Sequence, residues 1–199
     1  MLFLLELTSL YKEKLKKENI MLVISIWAFL LLGGFLLLTA LRFGVPDMVS
    51  GVYYQLQHTT DSTVLGCTTE HKRGWIFSVV MIVSAFLMMV CMLDTEKGAL
   101  PMAFLGCCGM ITVGLAPRYL SEDQREVHRF GALVATAGCI FWCITACYPV
   151  TLVIALAYLA GMAYAGRKDG GRGVKAFYWL EIAGLADVFL TYWTVRLCG

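Results

Sequence analysis

The sequence predicts an all-α polytopic membrane protein built as a six-transmembrane-helix bundle, on three observations. Hydrophobic residues make up 59% of the chain and charged residues only 15%, against roughly 45–50% and about 25% in soluble domains. Apolar runs of bilayer-crossing length recur along the chain. A crossing helix needs about 20 such residues, because only helices and closed barrels satisfy every backbone N–H and C=O without water. The runs are also apolar on every side. That disfavours a barrel, whose strands alternate apolar and polar residues over about ten positions, and a soluble bundle, whose helices keep a polar face.

Residues 1–19 read as a juxtamembrane segment. Phe3, Leu7 and Leu10 fall on one stripe, and Lys12, Lys14, Lys16 and Lys17 stand just before the first span, the pattern of an interfacial helix; a solvated tail is the competing reading. The lysines follow an apolar opening and no small-residue cleavage site is evident, unlike a secretory signal.

Residues 20–199 then form one membrane domain, with no composition shift or long linker to divide it. Spans are predicted at about 20–41, 75–93, 99–116, 128–147, 150–165 and 176–195. The first three are uncharged. The uncharged stretch 130–165 is too long for one crossing at about 1.5 Å of rise per residue. It reads as a tight hairpin turning near Tyr148-Pro149, where proline removes a donor and restricts its predecessor. The last span carries Glu181 and Asp187 in otherwise apolar and aromatic surroundings.

The lysines before the first span, against Arg42 after it, place the amino terminus in the cytoplasm by the positive-inside rule, and an even number of spans returns the carboxyl terminus to that side. Arg118, Arg125, Arg129, Arg167, Lys168, Arg172 and Lys175 pull the other way.

The longest segment between spans, residues 43–74, is of a length that often serves as a lid. Its start, Val45-Pro46-Asp47-Met48-Val49-Ser50, reads as the cap of a short helix, with Asp47 accepting backbone donors and Tyr53 and Tyr54 at the interface. The Gly-rich, basic loop 167–175 suits a turn near lipid phosphates.

The candidate ligand-binding residues are His128, Glu181 and Asp187. An acid in hydrocarbon costs a few kcal/mol or more unless paired, protonated or hydrated. Glu181 reads either as a mid-membrane contact for a polar head group or proton, or as a partner of a hydroxyl, indole or arginine on a neighbouring helix. Six residues at 100° each set Glu181 and Asp187 about 120° apart around the helix, which argues against a carboxylate dyad. His128, after Glu122, Asp123 and Glu126 and beside Arg129, reads as a group that titrates near neutral pH or touches a lipid head group, or as an ordinary hydrogen-bonding residue. It outranks His58 and His71, which fall in a loop.

The eight cysteines form no Cys-x-x-Cys motif. Thiols in apolar surroundings resist ionisation, so they read as small packing residues, and neither a metal nor a cofactor is expected. Cys67 and Cys198 fall on opposite sides in a six-span layout, which excludes a disulfide between them. Gly131, Ala135 and Gly138 form a small-residue stripe suited to close helix packing within the bundle. Phosphate-binding, dinucleotide, zincin and nucleophile-elbow motifs are absent from the sequence, so no catalytic residue is assigned and the chain is not read as an enzyme.

Several motifs stand in a distinctive order. Pro46-Asp47-Met48-Val49-Ser50 with Tyr53-Tyr54 follows the first span, Gly114-Leu115-Ala116-Pro117 closes the third, Val127-His128 opens the fourth, and Trp179-Leu180-Glu181 lies in the sixth. In this order the chain resembles bacterial six-span membrane proteins that are similar, at a distance, to the FRAG/DRAM/Sfk group. The resemblance covers about residues 20–195. It implies a six-helix fold, a place in a bacterial inner membrane, and His128 and Glu181 as candidate positions. That group is associated with membrane lipid organisation, lipid-anchor remodelling and autophagy, so it transfers fold better than function.

The function expected from these readings is binding of a membrane lipid or small amphipathic molecule between the helices, with His128 and Glu181 at its polar end and no nucleic-acid partner. Two alternatives stand beside it. One is a small proton-coupled permease using Glu181 or Asp187, against which stands the lack of inverted repeats. The other is a lipid-modifying enzyme pairing His128 with Asp123 or Asp47 as general acid and base.

Overall fold

Leucine, isoleucine and alanine carry the first helix without a break from Leu2 to Phe43 (α1). It ends where Gly44, at φ +80°, returns its N–H to the Ala40 carbonyl at 3.0 Å; glycine tolerates that left-handed conformation and so closes helices. In this computed structural model α1 is followed by a short helix, Gly51–Gln57 (α2), a ribbon of two antiparallel strands, Thr59–Ser62 (β1) and Thr68–His71 (β2), and then Trp75–Asp94 (α3), Leu100–Leu115 (α4), Glu122–Asp169 (α5) and Ala176–Cys198 (α6). The structure describes the backbone of residues 2–57, 59–62, 68–71, 73–116, 122–169 and 175–198, and the side chains of 12–13, 16–57, 73–116, 123–167 and 175–198. The expected stripe of Phe3, Leu7 and Leu10, and the side chains of His58, Cys67 and His71, lie outside these residues.

The long helix α5 is broken inside. Cys147 leaves helical geometry at φ −159°, ψ 74°, and Pro149 has no N–H to give the Thr145 carbonyl four residues before it. We call the halves before and after this break α5a and α5b. They run in opposite directions. Cys143 on one side of the break and Thr151 on the other both reach the Asp187 carboxylate, although an unbroken helix would set them about 12 Å apart. The break falls at Cys147, beside the Tyr148-Pro149 position where the sequence predicts a turn.

Cross-contacts fix the remaining directions. Lys17 meets Asp94 and Met21 meets Cys91, so α1 and α3 are antiparallel. Met92 meets Cys107 while Gly114 meets Met81, so α3 and α4 are antiparallel. Gly106 faces Gly138 while Gly109 faces Gly131, which sets α4 against α5a. Ser25 accepts from the Trp193 indole at 3.0 Å and Phe29 stacks edge-on against Phe189, so α6 runs antiparallel to α1. Among the described residues α1, α3, α4, α5a, α5b and α6 alternate in direction. Lys17, Asp94 and Arg196 mark one end of the bundle; Asp47, Lys175 and the end of α4 mark the other.

Three helical segments, Lys16–Phe43, Trp75–Asp94 and Asp123–Arg167, are long and apolar enough to cross a membrane, while α4 is a shorter apolar helix. The interior and exterior agree with that environment. Ser25, Thr39, Ser84, His128, Asp187 and Thr191 are buried, whereas Leu38, Leu41, Phe86, Phe130 and Leu133 are exposed. Exposed apolar side chains on helices long enough to cross a membrane suit a membrane-associated protein. The stripe of Gly131, Ala135 and Gly138 is used within the chain: a Cβ added at Gly109 would lie 2.4 Å from the Ala135 nitrogen.

Two sequence expectations change. The juxtamembrane segment is helical and continuous with the first span, because nothing between Lys17 and Ile20 breaks the helix. The loop after α1 contains a short strand pair as well as a helix, a local addition to an otherwise helical fold.

Candidate functional site

The two acids of α6 have different surroundings. Glu181, in the second turn, is exposed and its Oε2 accepts the Val49 N–H at the start of the α2 segment. Donors at a helix entrance have no partner inside the helix, and a negative charge there is favourable. A side chain of α6 thus fastens α2, whose Val52, Tyr53 and Leu56 are buried against the bundle. Tyr53 packs edge-on to Phe77 of α3 at 6.4 Å between ring centroids.

Asp47 does not take the capping role expected of it. It stands four residues before α2 begins, too early for the capping position. It projects outward instead and pairs with Lys175 at 3.2 Å. That ion pair and the Glu181 contact both tie the α2 segment to the start of α6. Exposed Tyr54, Phe177 and Trp179 surround this end, as aromatic residues do at membrane surfaces.

His128 is buried, not exposed at an interface. Its Nδ1 lies 3.0 Å from the Ala116 carbonyl. A carbonyl only accepts, so Nδ1 carries the hydrogen. The imidazole satisfies one of the carbonyls that the end of α4 leaves without a helical donor. The Gly114-Leu115-Ala116 segment and His128 are therefore two halves of one helix-to-helix tie.

Asp187 is 4% exposed. Its Oδ1 accepts from Thr151 of α5b and from Thr191 one turn along α6, both at 3.2 Å, and Cys143 of α5a lies beside it. His128 lies fifteen residues from Cys143 along α5a, about 22 Å at helical rise. The three sequence candidates therefore do not converge on one pocket: Glu181 holds the α2 segment, His128 holds the end of α4, and Asp187 joins α5a, α5b and α6.

At the opposite end lies a cluster that sequence reasoning did not assemble. Asp94, closing α3, pairs with Lys17 of α1 at 2.6 Å and Arg196 of α6 at 3.2 Å. Its side chain is 11% exposed and that of Arg196 15%. These residues, with Thr95 and Lys97, line a polar cleft of about 260 Å³. The turn beside it is held in place: the Trp142 indole donates to the Lys97 carbonyl at 3.0 Å, and the Thr145 hydroxyl accepts the Ala99 N–H at 2.9 Å. Glu96 in this turn has φ +53°, a region costly for residues other than glycine. The available signal was a charge closing each of two apolar runs, at residues 94 and 196, with Lys17 opening a third.

Among the described residues, no group of three or more histidine, cysteine or acidic side chains is placed to hold a metal. Cys91, Cys107, Cys139 and Cys143 are buried free thiols. No protein-family model, curated protein or solved structure matches the chain.

Proposed function

We propose that the chain is a six-span membrane protein that binds a lipid or similar amphipathic molecule at the seam between α2 and α6, with Glu181 meeting its polar end. One observation carries this reading: an exposed carboxylate on an apolar helix fastens a short helix folded over the bundle end. Lys175 and Asp47 lie at the same seam, so both signs of charge face a head group, while apolar Leu180 and Phe177 offer a surface for its tail. His128 serves by fixing the end of α4. The six alternating segments become six spans, α4 being completed by its flanking residues. The distant resemblance of its motif order to the FRAG/DRAM/Sfk group is in keeping with the same layout, which we place in a bacterial inner membrane with both termini cytoplasmic.

The test is to purify the protein in native lipid and identify co-purifying molecules by mass spectrometry, comparing wild type with folded Glu181→Gln and His128→Ala variants. A species depleted in Glu181→Gln and retained in His128→Ala is the expected result. Identical profiles in all three would reduce Glu181 to a structural fastening. A proton-coupled permease is the second reading, favoured by the buried Asp187.

A further inference from the structure

The proposed lipid seam uses neither His128, which ties down the end of α4, nor Asp187, which is buried among three helical segments. The groups facing its carboxylate are Thr151 from α5b, Thr191 from its own helix and the Cys143 thiol from α5a. Among the described residues no lysine, arginine or histidine pairs with it. An acid in that setting has its charge removed by a proton or offset by a bound cation. Sodium prefers a shell of oxygen atoms, and hard cations are poorly served by sulfur. Here both hydroxyls already bond to Oδ1 and a thiol stands alongside. The ligand that fits is the proton.

The position of the acid gives that proton a consequence. Asp187 sits beside the break at Cys147 and Pro149, where α5b turns back along α6. Leu152, Val153, Leu156 and Leu159 on α5b are all exposed. Two polar contacts tie this half to the neighbourhood of α6: Thr151 to Asp187, and the Tyr158 hydroxyl to the Ala176 carbonyl at 3.2 Å. Hydrogen bonds to an ionised acceptor are about twice as strong as those to a neutral one. When a hydronium ion gives a proton to the carboxylate, an O–H bond forms, water is released, and the hold on Thr151 weakens.

We infer that Asp187 is an exchangeable-proton site whose charge state sets how firmly α5b is held against α6. This rests on α6 crossing the membrane as proposed above. It does not depend on what the seam at Glu181 binds.

The decisive measurement is infrared difference spectroscopy on the full chain in oriented lipid films, stepped in pH. The expected result is a protonated-carboxyl band that appears and disappears with pH, is lost in Asp187→Asn, and changes its titration midpoint in Thr151→Val. The Thr151→Val comparison decides the matter if Asp187→Asn does not fold. A film with no such band, or a band indifferent to both substitutions, would overturn the inference. So would a band removed at constant pH by exchanging choline for sodium, which would assign the site to a metal cation. Dichroism of the backbone amide band on the same films separates the two readings. Helices lying flat would end the six-span proposal, whereas upright helices without the Asp187 band would end this inference alone.

Discussion

The two halves of α5 are continuous in sequence and similar in composition, yet they pack in opposite ways. α5a meets α4 backbone to backbone: Gly131, Ala135 and Gly138 lie against Gly106, Gly109 and Thr112 so closely that several of these positions exclude a Cβ. α5b carries small residues too, among them Gly161 and Gly166, but nothing approaches within 4 Å of where their Cβ atoms would stand, and Leu152, Val153, Leu156 and Leu159 are exposed. In lipid, burying a leucine against another helix gains little, since hydrocarbon surrounds it either way; close approach of small residues and interhelical hydrogen bonds supply the association. The contrast teaches that hydrophobicity suits both halves to a membrane, while small residues that meet a neighbouring backbone, and a few hydroxyls, decide which half is held tightly.

The strongest way to break this contrast is Gly109→Leu. The first added carbon already lies 2.4 Å from the Ala135 nitrogen and 2.7 Å from the Gly131 carbonyl oxygen. Overpacking typically costs about 1–3 kcal/mol, and contacts this short put Gly109→Leu at the upper end of that range. The expected outcome is loss of the monodisperse species on size-exclusion chromatography; a normally eluting protein with unchanged thermal stability would refute the close seam.

Arg196→Ala should rank second. It removes one of two cations from the nearly buried Asp94 and loosens the end of the helix that holds α5b. Breaking a buried pair costs about 3 kcal/mol or more, so with Lys17 still in place a loss of about 2 kcal/mol is expected in thermal unfolding. Lys17→Ala, whose side chain is 62% exposed, should cost less than about 1 kcal/mol. Equal effects would mean that burial does not distinguish the two cations.

His128→Ala tests whether the glycine seam suffices without its terminal tie. Leaving a helix-end carbonyl without its donor costs about 1 kcal/mol, and amide exchange should rise in the last turn of α4 and not at its start. Uniform exchange would contradict the tie. The smallest effect belongs to Leu156→Ala on α5b, within about 0.5 kcal/mol as at other exposed positions. A loss comparable to that of a core leucine would show that another surface covers α5b.

Much of this arrangement was legible in the sequence because it depends on local features. Pro149 announces the reversal through its missing donor, the runs at 75–93 and 176–195 fall close to α3 and α6, and the Gly131, Ala135, Gly138 stripe announces a close helix neighbour. The partners of the polar side chains were not legible, because each pairing depends on how distant helices lie beside one another. Val49 and Glu181 are 132 residues apart and Ser25 and Trp193 are 168 apart. Sequence reasoning could flag Glu181 as costly in lipid, but not that a backbone N–H on a folded-over helix would receive it. Similarly, Asp94 and Arg196 each look like the ordinary end of an apolar run until α3 and α6 are placed at the same end.

The turn at Cys147 and Pro149 also bears on how the protein is made. In the six-span arrangement, most successive crossings are joined by segments carrying charged residues that can wait in water while the next helix is synthesised. Between α5a and α5b there is no such resting place: Tyr148 and Pro149 are followed at once by Val150, Thr151 and Leu152. In that arrangement the two halves would enter the bilayer together, as one apolar segment of 45 residues. Lengthening this turn with a polar insert would convert a paired insertion into two sequential ones.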